Sequence, residues 1–144
     1  MDQHAIDLQD RTRRFAAAIA TLCERLPADP GAQRTAAKLL ASSRAVTAGY
    51  TDTCASPSPD SFISRISAVA AQAKRTRASL QLLLQLNHVT IEAARDLLFE
   101  ARGLEAIFVA SRDTAKRRHR ARLGGAGERA ARASPVAVKS RGRG

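Results

Sequence analysis

The last fifth of the chain carries the residues whose type and spacing point most clearly to chemistry. Lys116, Arg117, Arg118, Arg120 and Arg122 fall in one run of seven residues, 116–122, interrupted only by His119 and Ala121. Arg129, Arg132, Lys139, Arg141 and Arg143 follow, and Glu128 is the one acid among them. Guanidinium and ammonium groups are the side chains that bind phosphate oxygens, arginine through a planar fork and lysine as a point charge. On a helix this run would place positive charge on every side, with like charges repelling at i,i+4. A phosphate-rich partner relieves that repulsion, whereas the plainer reading is a solubilising tail. Nothing in the run resembles a helix set with Asn, Gln and Arg for base edges, so no sequence readout is expected.

Other chemistry is poorly supplied. His4 and His119 have no His or Glu at i±3 or i±4 and His88 has only Glu92 four positions on, so no His pair and no Glu-x-x-His mark of di-iron bundles is present. Cys23 and Cys54 are the only cysteines and form no CxxC, which suits small buried apolar residues better than a bridge or a ligand pair. No Ser/His/Asp arrangement, phosphate-binding Gly-rich loop or paired inward carboxylates can be read from the spacing. We expect no catalytic activity, metal or cofactor.

Charge is distributed unevenly. Residues 116–144 hold ten basic side chains and one acidic, whereas residues 1–115 hold 14 basic and 12 acidic, so a nearly balanced body precedes a polycation in a chain of net charge +11. The 144 residues suffice for one domain with its own core, and 44% of them are apolar. Aromatics make up only 3%, with no Trp. That disfavours an aromatic-rich sandwich or barrel and supplies no platform on which bases could stack. The N-terminus has no apolar stretch after its charges. The longest apolar stretch, Phe15 to Cys23, is far short of the ~20 residues that span a bilayer. A cytoplasmic location without membrane association is expected.

Four segments carry helical periodicity and none carries strand alternation. The first, about Asp7 to Leu26, has the stripe Leu8, Phe15, Ile19, Leu22 and Leu26. Pro27 follows, and Asp29 and Pro30 supply a cap and first turn for a helix running to Cys54. Its stripe, Ala36, Leu39, Leu40, Ser43, Val46, Thr47 and Tyr50, is rich in small residues suited to close packing. Ser58 and Pro59 open a third helix to about Leu86, whose Phe62, Ile66, Val69, Ala73, Thr76, Leu80 and Leu83 alternate by four and three as a heptad seam. Asn87 and His88 turn the chain. Thr90 caps a fourth helix carrying Ile91, Ala94, Leu97, Leu98, Ala101, Leu104, Ile107, Phe108 and Ser111, predicted to reach about Arg120 and stop at Gly124-Gly125. Four amphipathic helices joined by short loops predict an all-α, up-down-up-down four-helix bundle. The expected division is a flexible arm at 1–6, the bundle at 7–121 and a disordered basic tail at 122–144.

At this point the residues resemble a known family. The stretches Asp7 to Phe15 (DLQDRTRRF), Leu39 to Tyr50 (LLASSRAVTAGY), Phe62 to Ile66 (FISRI) and Leu104 to Lys116 (LEAIFVASRDTAK) are similar to the signatures, in order, of four-helix-bundle proteins first noticed as reading frames in intervening sequences of bacterial large-subunit ribosomal RNA genes. The resemblance covers roughly residues 7–118. It implies a left-handed bundle that assembles into a homopentameric ring, with no catalytic activity. A related group, the accessory proteins of diversity-generating retroelements, shares the fold and binds a reverse transcriptase and nucleic acid. The family favours Asn at the position of Gly49, Glu at that of Asp52, and acids where this chain has Gln72, Lys74 and Arg75.

Two functions follow as expectations. The first is a non-enzymatic oligomer that binds RNA or DNA, RNA favoured, through the ten basic residues of 116–144. The second is an adaptor ring that presents helix faces to a protein partner such as a reverse transcriptase. Arg77, at the edge of the third stripe, is expected to snorkel. Asp52 and Arg65, on either side of the second loop, are expected to come within reach of a surface ion pair.

Overall fold

The computed structural model describes residues 2–133, with side chains as far as Arg129. Four helices follow one another: α1 Gln3–Glu24, α2 Pro30–Cys54, α3 Pro59–Gln85 and α4 Ile91–Ala133. They form the expected up-down-up-down bundle. Each helix packs along the next, α4 closes against α1, and that closing seam is the thinnest.

The helix starts follow from local hydrogen bonding. Asp29 accepts from the Ala32 N–H at 2.9 Å with Pro30 in the first turn, and Ser58 accepts from the Ser61 N–H at 3.1 Å with Pro59 in place. Each cap satisfies an amide that the helix itself cannot. The α3–α4 turn is built on Asn87 at φ 59°, a left-handed conformation that Asn tolerates. The His88 N–H reaches the Leu83 carbonyl at 2.9 Å and the Asn87 N–H the Leu84 carbonyl at 3.1 Å, which closes α3 with a Schellman motif. Thr90 then caps α4, its hydroxyl accepting from the Ala93 N–H at 3.2 Å.

Two boundaries differ from expectation. Residues 3–6 are not a loose arm: the Asp2 carboxylate accepts from the Ala5 N–H at 2.8 Å, and Gln3 donates to Asp7 at 2.8 Å, so α1 starts one turn before its apolar stripe. At the other end α4 does not stop at Gly124-Gly125 but continues to Ala133. Glycine permits a left-handed stop without requiring one. Its cost of about 1 kcal/mol is offset here by flanking Ala and Arg, which are strong helix formers. The part of the tail expected to be disordered is therefore helical from 122 to 133, and residues 134–144 lie outside the described residues.

The core runs the length of the bundle. Ile19, Leu39, Val46, Ile66, Val69, Leu80, Leu83, Leu104 and Phe108 are fully or almost fully enclosed. The Tyr50 and Phe108 rings meet at 5.4 Å between centroids. Small polar residues knit the helices: Thr76 donates to Ser42 across α2–α3 at 2.9 Å, and Thr47 to the Thr12 carbonyl across α1–α2 at 3.2 Å. Gly49 sits tightly against α3, since a Cβ there would lie 2.9 Å from the Val69 side chain. Asn, which the resembling family favours at this position, has no room here. Cys23 and Cys54 are unbridged and half-buried, and burial pushes the Cys23 thiol pKa up. Phe62 is half-buried rather than enclosed, and Ile91 is half-exposed, because each lies at an open end of the bundle.

Candidate nucleic-acid interface

Length alone makes an overhang. At 1.5 Å per residue α3 spans about 40 Å and α4 about 64 Å. Both leave the Asn87 turn together, so α4 runs about 24 Å farther than its neighbour. The Ser58–Pro59 start of α3 lies beside Ala115, Arg118 and Arg122 of α4, with Phe62 on the floor of the groove between them. His119 is joined to Asp60 at 2.8 Å, the last side-chain tie seen between α4 and the bundle. Past Arg122 the helix runs on beyond the start of α3.

The overhang presents its cations to water. Lys116, Arg117, Arg118, Arg120, Arg122 and Arg129 are all exposed. Arg117 donates to the Thr114 hydroxyl at 3.3 Å, and no carboxylate among the described residues pairs with any of the six. Arg132 lies on the last turn of the helix, whereas Lys139, Arg141 and Arg143 lie outside the described residues. Sequence reasoning found these cations but not the rod that carries them.

The arginines of the body are used differently. Arg11 forks onto Glu100 across the thin α1–α4 seam, Nε to Oε2 at 2.8 Å and Nη2 to Oε1 at 2.6 Å. Gly103 leaves space for that fork, since a Cβ there would lie 3.2 Å from Nη2. Arg77 does not simply snorkel. It forks onto Glu105 of α4 and donates to Gln81 at 3.1 Å. Hydrogen bonding to the carboxylate pushes the pKa of each guanidinium, Arg11 and Arg77, above its ordinary value, which fixes the charged form. Arg65 approaches Asp52 as expected but donates to its backbone carbonyl, at 2.8 Å, so no ion pair forms. These partners stand up to 89 positions apart, and no local sequence signal connects them.

Among the described residues, no three His, Cys, Asp or Glu side chains gather into a potential metal site, and no helix is long and apolar enough to cross a membrane. Comparison adds a fold neighbour. A solved structure from Bacteroides thetaiotaomicron, described as a protein of unknown function from the S23 ribosomal protein family, matches with a TM-score of 0.69 at 17% identity. The match covers 76% of this chain and 97% of that one. At that identity the likeness is one of fold. No family model and no curated protein matches the chain in sequence.

Proposed function

We propose that this protein is a non-enzymatic helical-bundle oligomer that binds nucleic acid through phosphate contacts along the C-terminal half of α4. One observation carries the reading: a helix continues past its bundle with Lys116, Arg117, Arg118, Arg120, Arg122 and Arg129 exposed and free of carboxylate partners. In the body Arg11 and Arg77 are held by Glu100 and Glu105, whereas the cations on this end of α4 are left for a ligand. Phosphate contacts of this kind bring affinity and strong salt dependence but no base specificity. Kinship with the intervening-sequence proteins and assembly into a pentameric ring belong to the same proposal, supported by the signatures in all four helices.

A second reading has its own observation. Phe99 on the outer face of α4 is 80% exposed, which is unusual for a large apolar side chain and suits an adaptor surface. Purification separates the two. Under the first reading, protein prepared at low salt carries absorbance at 260 nm that a high-salt wash removes, and crosslinking in cells recovers nucleic acid. Protein free of nucleic acid at low salt that instead retains a stoichiometric protein partner selects the adaptor.

A further inference from the structure

Of the Phe and Tyr rings, one lies within reach of the basic end of α4. Phe15, Tyr50 and Phe108 are buried, and Phe99, though exposed, stands about 28 Å along α4 from Arg118. Phe62 is half-buried at the head of the α3 seam, one turn before the fully enclosed Ile66. It lines two cavities of about 320 Å³ and 240 Å³ that share Phe62, Ala115 and Arg118, and so form one groove between α3 and α4. Ala115, Arg118 and Arg122 recur at three and four and are neighbours on one face of α4. Beside the ring the groove is lined by the small side chains of Ala110 and Ala115, and Arg118 and Arg122 bring two guanidiniums to it. Neither guanidinium has a carboxylate partner among the described residues. Asp60, the acid near the start of α3, lines neither cavity and is held by His119 at 2.8 Å.

An aromatic ring among small apolar side chains, next to two unpaired guanidiniums, is the combination that holds a nucleotide: the base lies on the apolar surface and the phosphate meets the cations. Resting on the phosphate-binding reading above, we infer that this groove takes an unpaired nucleotide of a single-stranded nucleic acid, its base against Phe62 and its phosphate on Arg118 and Arg122. The bases of a duplex are stacked and paired and do not enter the groove, so a duplex meets the cations alone. Base identity is not selected, because every base has a π-face. The low aromatic content of the sequence predicts no stacking platform, and the seam pattern places Phe62 in the core. The open end of the bundle is what leaves its ring available.

The test uses the full-length chain and three labelled probes of about 15 nucleotides or base pairs: a DNA strand, an abasic strand with the same phosphates, and a DNA duplex. The base-bearing strand should bind about tenfold tighter than the abasic one, since only the bases differ. Equal affinity for these two strands overturns the groove assignment while leaving phosphate binding intact. Binding of none of the three probes overturns both. Phe62→Leu keeps an apolar side chain and removes the ring. It should weaken the base-bearing strand about tenfold and leave the abasic strand, the duplex and the slope of log affinity against log salt at parent values. Equal weakening of all three probes, or none of any, overturns the role of Phe62. The thermal transition of the variant shows that it is folded, and the comparison of the two strands on the parent chain decides the matter even where it is not. Arg118→Gln with Arg122→Gln should reduce the slope on the single strand by about 1.4, as for two lost phosphate contacts. An unchanged slope overturns the phosphate half of the assignment.

Discussion

The two halves of α4 are one continuous helix under opposite constraints. Residues 91–115 hold three basic and five acidic side chains, and residues 116–133 hold seven basic and one acidic. In the first half Ala94, Leu98, Ala101, Leu104 and Phe108 are buried, and Glu100 and Glu105 hold arginines from α1 and α3. In the second half the only large apolar residue is Leu123, 60% exposed. The first half is thus stabilised by what it buries. The second half has almost nothing to bury, and its charge is left available to a ligand. Loss of stability and loss of binding should therefore separate cleanly between the halves.

Phe108→Ala should have the largest effect on stability, about 3–5 kcal/mol, because it removes a fully enclosed ring and its contact with Tyr50. Arg122→Ala should change stability by no more than about 0.5 kcal/mol. Denaturant unfolding measures both, and comparable losses would erase the distinction between the halves. Next, Glu105→Ala leaves the partly buried Arg77 guanidinium without its carboxylate and with only Gln81 as partner, and should cost about 1–3 kcal/mol. A double-mutant cycle with Arg77→Ala should show coupling between the two sites.

Glycines sharpen the comparison further. Gly49→Ala drives a methyl group to within 2.9 Å of the Val69 side chain. An overpacking cost of about 1–3 kcal/mol then exceeds the gain in helix propensity of about 1 kcal/mol. Gly127 has nothing within 4 Å of the added carbon. Gly127→Ala should raise the circular dichroism signal at 222 nm and leave global unfolding unchanged. The smallest effect is expected at high pH. Burial, and then the neighbouring Cys54 thiol, raise the pKa of Tyr50 well above that of a free phenol. A raised folded-state pKa means that this contribution is complete below the unfolded value of about 10 and is lost as pH climbs through the folded one. Tyr50 is the only tyrosine and there is no Trp. Absorbance at 295 nm should therefore show no tyrosinate in the folded protein at a pH where the urea-unfolded chain is half ionised.

The bundle was legible in the sequence because its signals are local. Asp29, Ser58 and Thr90 cap the helices that periodicity predicts, and the heptad seam from Phe62 to Leu83 faces inward, with only Phe62 left half-buried at the bundle's end. What was missed depends on non-local contacts or on near-balanced local energies. Arg11 meets Glu100 only because α1 and α4 close the bundle, and His119 meets Asp60 only because α4 outruns α3. Gly124, Gly125 and Gly127 read as a stop, yet the helix continues among Ala and Arg, where propensities differ by about 1 kcal/mol. The cations of the candidate site were visible as composition, and their place on a helix that outruns the bundle emerged only from the structure.

The most direct test of the central claim is a fluorescence anisotropy titration of labelled duplex DNA across a salt series, comparing the full chain with a chain ending at Ala115. With about five phosphates engaged at once, the full chain should show a slope of log affinity against log salt of roughly −4.5. The shortened chain should keep its helical signal and cooperative unfolding, lose most of its affinity and show a slope near zero. Equal affinity with an unchanged slope in the shortened chain would contradict the account and move the binding surface onto the bundle itself.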